Sequence, residues 1–101
     1  MNKWYLRKIN NKHELYCIDD SFDDEAPILV LINILKDKYK NIIFKDEESN
    51  IMGGEYRKKV MIDNIELNIY EELSSLTLSS DDKRANDIIL EISNLLNAEI
   101  I

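Results

Sequence analysis

Asp63-Asn64 sits between two runs of alternating apolar and polar residues, and it constrains the fold more than any other dipeptide in the chain. A two-residue link of this kind suits a type I′ turn, whose twist matches that of the strands it joins. Counting outward from it, Ile62 faces Ile65 and Val60 faces Leu67. Val60, Ile62, Ile65, Leu67 and Ile69 then line one face of a hairpin over residues 55–62 and 65–70. Arg57, Lys59, Met61, Glu66, Asn68 and Tyr70 line the other. This alternation belongs to an antiparallel sheet with one wet face.

The rest of the chain supplies partners for that hairpin. Trp4 to Ile9 and His13 to Ile18 are rich in strand formers and flank the turn residues Asn10-Asn11-Lys12, which predicts a first hairpin. A helix is expected over about residues 24–40, with Pro27 tolerated in its first turn. Ile28, Leu31, Ile32, Leu35 and Tyr39 share its core face at helical spacing, which places Val30 and Ile34 nearly opposite and Leu29 on a flank. Residues 41–45 read as a short strand, 46–54 as a loop and 73–78 as a further strand. Ser79 or Ser80 is expected to cap a last helix, with Asp81 and Asp82 in its first turn. Ala85, Ile88, Ile89, Ile92, Leu95 and Leu96 form its apolar stripe, and Lys83, Asp87, Glu91 and Asn94 its solvated face. The order β-β-α-β-β-β-α predicts an α+β two-layer sandwich, a mainly antiparallel sheet with both helices on one face. At 101 residues the chain is expected to form one domain.

Charge limits what such a domain can meet. The net charge is −7, so nucleic acid and anionic membranes are disfavoured partners, and a basic protein is the partner that this charge would steer. Cys17 is the one cysteine, so no disulfide can form within the chain. The first residues lack the uninterrupted apolar stretch of a signal peptide, and no run approaches the length of a membrane span. A cytoplasmic protein is the expectation.

The residues that could carry chemistry are few. His13 and Cys17 share a strand face, and they read as a turn histidine and a buried small hydrophobe. No further Cys or His completes a zinc site. Gly53-Gly54 leads into a strand, so it is no phosphate loop. Arg57-Lys58-Lys59 with Tyr70 outlines the beginning of an RNA-binding sheet face. With one aromatic in place on an acidic chain, pairing of these cations with Glu66 and Glu71 is the simpler reading. The paired acids Asp46-Glu47-Glu48, Glu71-Glu72 and Asp81-Asp82 fall in turns or helix starts. Neither a catalytic centre, a metal site nor a cofactor is expected.

The one segment that stands out is Asp19-Asp20-Ser21-Phe22-Asp23-Asp24-Glu25, which runs directly into Pro27-Ile28-Leu29-Val30-Leu31-Ile32. Some of its acids complement the positive end of the following helix. Asp19, Asp20, Asp23, Asp24 and Glu25 are nonetheless the candidates to steer and dock a basic surface. Phe22 is the candidate apolar anchor among them, and Val30 and Ile34 would extend the contact.

The second half adds a resemblance. Gly53-Gly54-Glu55-Tyr56 entering a hairpin, a strand ending in acids from Ile65 to Glu72, a Ser/Leu strand and a terminal Ile/Leu-striped helix together resemble small bacterial immunity proteins. Those proteins neutralise polymorphic or contact-dependent growth-inhibition toxins. The likeness covers about residues 53–97 and is one of pattern. It implies a non-catalytic, acidic, cytoplasmic protein that binds a toxin domain, often a basic nuclease. The alternative is a regulatory or adaptor subunit that pairs with itself through spare apolar surface on the first helix, as a homodimer. A small enzyme is the remaining possibility.

Overall fold

Two tight turns organise the sheet. Asn10 and Asn11 have φ of 52° and 63°, and Asp63 and Asn64 have φ of 49° and 67°. A type I′ turn needs left-handed backbone at both central residues, and Asn and Asp adopt it more readily than other side chains. The computed structural model describes residues 3–18, 26–50, 55–72 and 75–101. Its elements are β1 (Lys3–Ile9), β2 (Lys12–Ile18), α1 (Pro27–Lys38), β3 (Ile42–Asn50), β4 (Glu55–Ile62), β5 (Ile65–Glu72), β6 (Ser75–Ser79), α2 (Ala85–Leu95) and β7 (Glu99–Ile100).

The seven strands form one sheet in the order β3-β4-β5-β6-β2-β1-β7. Every neighbouring pair is antiparallel except β1 with β7. Ile62 pairs with Ile65 and Val60 with Leu67, the register that the Asp63-Asn64 turn predicts. The protein is thus the expected α+β sandwich, with β7 as a short addition after α2.

Register explains the core. Leu6 pairs with Leu15, Leu15 with Leu78, and Leu78 with Ile69, so one apolar row crosses β1, β2, β6 and β5. Trp4, Cys17 and Leu76 make a second row beside it. These residues are buried with Val60, Ile62 and Leu67 on the same side of the sheet. Leu31 and Leu35 of α1 and Ala85, Ile88, Ile89 and Ile92 of α2 complete that cluster, so both helices cover one face. Each fully buried Leu or Ile contributes roughly 1.5–3 kcal/mol of transfer free energy. The helices also meet each other: the Tyr39 hydroxyl donates to Glu91 Oε2 at 3.1 Å, and Lys38 Nζ lies 3.4 Å from the same carboxylate.

Four local expectations change. The strand expected at 41–45 continues to Asn50 as β3, through a shift of register between Asp46 and Ser49. An edge strand needs only one hydrogen-bonded neighbour and no apolar face, so its polar sequence hid it. The last helix begins at Ala85, not after Ser79 or Ser80. Ser80 instead accepts from the Asp82 N–H at 3.0 Å and donates to the Glu66 carbonyl, which holds the turn before the helix. Asp82 holds the next step by accepting from the Arg84 N–H at 2.9 Å, and the acid in the first turn of α2 is Asp87.

At the far end of α2, Leu95 is 55% exposed although it fits the stripe. The chain leaves the helix there: Asn97 takes φ 54°, Ala98 N–H donates to Ser93 O, and Asn97 N–H donates to Asn94 O. That pair of bonds is a Schellman ending with Asn in the left-handed position.

The apolar stripe of α1 is rotated from expectation. Its buried line is Pro27, Leu31 and Leu35. At about 100° per residue, Ile34 and Val30 stand roughly 60° and 100° from Leu31 on one flank, and Leu29 roughly 160° from it. Val30 and Ile34 accordingly pack, half-buried, against the core, and Leu29 is the apolar residue left in solvent at 50% exposure. Among the described residues no helix is long and apolar enough to cross a membrane.

Candidate functional site

The side of the sheet away from the helices is where strand alternation places the polar half of every hairpin. Tyr5 pairs with Tyr16, Tyr16 with Thr77, Thr77 with Tyr70, and Tyr70 with Arg57. One row of side chains therefore runs across β1, β2, β6, β5 and β4, and three of its five members are tyrosines. All three are half-buried. The Tyr5 and Tyr16 rings stand 6.5 Å apart, tilted by 38°.

Arginines stack on this row. The Arg7 guanidinium lies 4.9 Å from the Tyr16 ring centre, and Arg57 lies 5.1 Å from that of Tyr70. Arg7 also donates through Nε to Glu14 Oε1 at 2.7 Å and through Nη2 to the same oxygen. The Tyr70 hydroxyl donates to Glu72 at 2.9 Å, and Lys59 pairs with Glu66 at 3.2 Å. Each exposed cation–π contact is worth about 0.5–1 kcal/mol. Their larger consequence is order: long side chains held in place lose less entropy when a partner arrives.

The face differs in charge from the rest of the chain. Lys3, Arg7, Lys12, Lys45, Arg57 and Lys59 fall on it by alternation and register, against Glu14, Glu66, Glu72 and Glu99, with Asp81 and Asp82 lining one of its recesses. A chain of net charge −7 thus carries a face on which, among the described residues, cations and carboxylates are balanced. Shallow recesses interrupt it. One of about 330 Å³ is lined by Arg57, Lys59, Asn68 and Tyr70, and one of about 430 Å³ by Lys59, Met61, Glu66, Asn68, Asp81 and Asp82. Tyr, Arg and small polar side chains in one ordered patch suit protein recognition, because Tyr and Arg combine large contact area with directional hydrogen bonding.

The residues singled out from sequence fall elsewhere. Asp19, Asp20, Phe22, Asp23, Asp24 and Glu25 lie outside the described residues. Val30 and Ile34 do not form a spare apolar face, since both pack against the core. Cys17 is fully buried, whereas His13 is half-buried, its Nδ1 enclosed without a hydrogen-bond partner. His13 is held by its backbone: its N–H donates to Asn86 Oδ1 at 2.9 Å, while Asn86 Nδ2 donates to the Asn11 carbonyl at 3.1 Å. Among the described residues no group of His, Cys, Asp and Glu could hold a metal ion. The strongest electrostatic effects are structural. Side-chain and then backbone hydrogen bonds from Arg84 hold the Asp82 carboxyl below its ordinary value. Burial, then the Glu91 carboxylate, pushes the Tyr39 hydroxyl well above its own.

Tyr5 and Tyr16 are the site residues that sequence reasoning missed. The signal was available: counting outward from Asn10-Asn11, as from Asp63-Asn64, puts Tyr5 opposite Tyr16 and Arg7 opposite Glu14. Comparison with known protein families, characterised proteins and solved structures returned no match.

Proposed function

We propose that this is a non-catalytic binding protein that works through the open face of its sheet, and that it is an immunity protein. In this reading it neutralises a cognate bacterial toxin in the cytoplasm by tight protein–protein contact. The observation that carries the binding reading is the row Tyr5–Tyr16–Thr77–Tyr70–Arg57, ordered by stacked arginines and left uncovered by either helix. Such residues supply most of the energy of protein interfaces when they are desolvated together. The toxin-neutralising form of the proposal rests on the sequence pattern of residues 53–97. It also rests on the acids between Asp19 and Glu25, which would steer a basic region of the toxin, such as that of a nuclease.

The test is protection. Cells producing a toxin domain that binds this protein should survive when the protein is co-expressed. Survival should fall when Tyr16→Ala and Tyr70→Ala are combined in a chain that still folds. Death of cells that contain the folded wild-type protein would reject the toxin reading.

Self-association is the second reading, favoured by Ile43, which is 62% exposed on the edge strand β3. Sedimentation as a monomer across micromolar concentrations would remove it.

A further inference from the structure

We infer that the open face is built for an acidic protein surface, and that Arg57 stacked on Tyr70 is the socket for one carboxylate of that partner. The inference rests on reading this face as a protein contact, and it adds the chemistry of what docks there.

The molecule contains its own template for the contact. Arg7 lays its guanidinium over the Tyr16 ring at 4.9 Å and turns its N–H edge to the Glu14 carboxylate. The ring takes the flat face of the cation and the carboxylate takes its edge, a division that a planar guanidinium permits and an ammonium does not. Arg57 and Tyr70 repeat the first half of this arrangement. They are cross-strand neighbours, with the guanidinium 5.1 Å from the ring centre. Arg57 is exposed, and among the described residues no carboxylate forms an ion pair with it. On the same face of β5, Glu72 accepts from the Tyr70 hydroxyl instead. The recess of about 330 Å³ beside Arg57 and Tyr70 has room for an incoming side chain, and Lys59 and Asn68 on its wall add donors. A partner's Asp or Glu would complete at Arg57 what Glu14 completes at Arg7.

Nucleic acid also carries negative charge and stacks on aromatic rings, but this face suits it less. The carboxylates interleaved with the cations would confront phosphates. The guanidiniums already occupy ring faces on which bases would stack. A net charge of −7 repels a polyanion at long range. A protein surface with a few carboxylates among neutral groups meets none of these obstacles.

The experiment is an NMR titration of the whole chain with three probes: poly-L-glutamate, poly-L-lysine and an oligothymidylate. Poly-L-glutamate should shift the Tyr70 ring signals and the Arg57 Nε–H signal. The other two probes should leave both in place. Arg57→Ala, at an exposed position, should weaken poly-L-glutamate binding about 10-fold, and Arg57→Lys, which keeps charge but loses the fork, by a smaller factor. Absence of any shift with poly-L-glutamate overturns the inference, as do shifts confined to other surfaces. Shifts of the tyrosine rings by oligothymidylate would make this a nucleic-acid surface, and shifts by poly-L-lysine a surface for basic partners. Either result rejects the acidic partner. The cell-protection test fails independently. Protection that survives Arg57→Glu sinks the socket and leaves the toxin reading standing. Binding of poly-L-glutamate at Arg57 without protection does the reverse.

Discussion

The two faces of the sheet are made from the same strands and do opposite things. On one, Leu6, Leu15, Leu78 and Ile69 lie in a row that α2 and α1 seal from water. On the other, one residue along each strand, Tyr5, Tyr16, Thr77 and Tyr70 lie in a parallel row that neither α1 nor α2 covers. The first is held by burial, which is non-directional and strong. The second is held by ring–guanidinium stacking and surface ion pairs, each worth about a kilocalorie or less. A sheet therefore gains stability from one face while the other keeps groups whose capacity to bond is only partly used.

The edges sharpen the contrast. β3 carries a register shift and the charges Lys45 to Glu48, and β7 is two residues long. Short, charged or irregular edges discourage strand addition. Recognition through the face fits this architecture better than recognition through an edge.

The largest expected effect tests the covered face. Leu78→Ala should cost about 2–5 kcal/mol in urea unfolding, because it leaves a cavity under α2. Tyr16→Ala on the opposite side of the same pairing should cost about 1 kcal/mol, as half-buried positions do. Equal losses at the two positions would break the distinction between the faces. Asn86→Ala comes next, at about 1–2 kcal/mol, since its side chain ties α2 to the β1–β2 turn through two hydrogen bonds.

A smaller, pH-dependent effect concerns Tyr39. Its hydroxyl titrates above its ordinary value near 10.0 because burial and Glu91 favour the protonated form. The folded state then holds this proton more tightly than the unfolded chain does. Its contribution is complete below about pH 10 and is lost as pH rises through the folded value. Urea midpoints should fall above about pH 10, and less steeply in Tyr39→Phe. The smallest effect is at Leu29, whose replacement by Ser should change stability by less than about 0.5 kcal/mol.

Legibility in the sequence followed the strength of local rules. The Asp63-Asn64 hairpin was readable to the residue, because turn chemistry and alternation agree there. α2 was readable in its stripe but not at its start: Ser80 and Asp82 have capping side chains, yet they cap the turn that precedes the helix. α1 misled because apolar residues surround nearly its whole circumference, so periodicity could not pick the buried line. Which of Ile32 or Ile34 turns inward is decided by the sheet and not by the helix. The candidate surface was half legible. Arg57, Lys59 and Tyr70 stood on an outer face from the start, but Tyr16 reaches them only through β6, a pairing between distant segments that no local pattern announces.

Affinity measured against stability tests the central claim most directly. If the toxin proposal holds, Arg57→Glu with Tyr70→Ala should weaken binding to the proposed toxin partner by about 100-fold or more, as loss of paired hot-spot residues does. Stability in urea unfolding should fall only by the roughly 1 kcal/mol expected for loss of a half-buried tyrosine. Unchanged affinity in this folded variant would contradict the assignment of the open face as the binding surface.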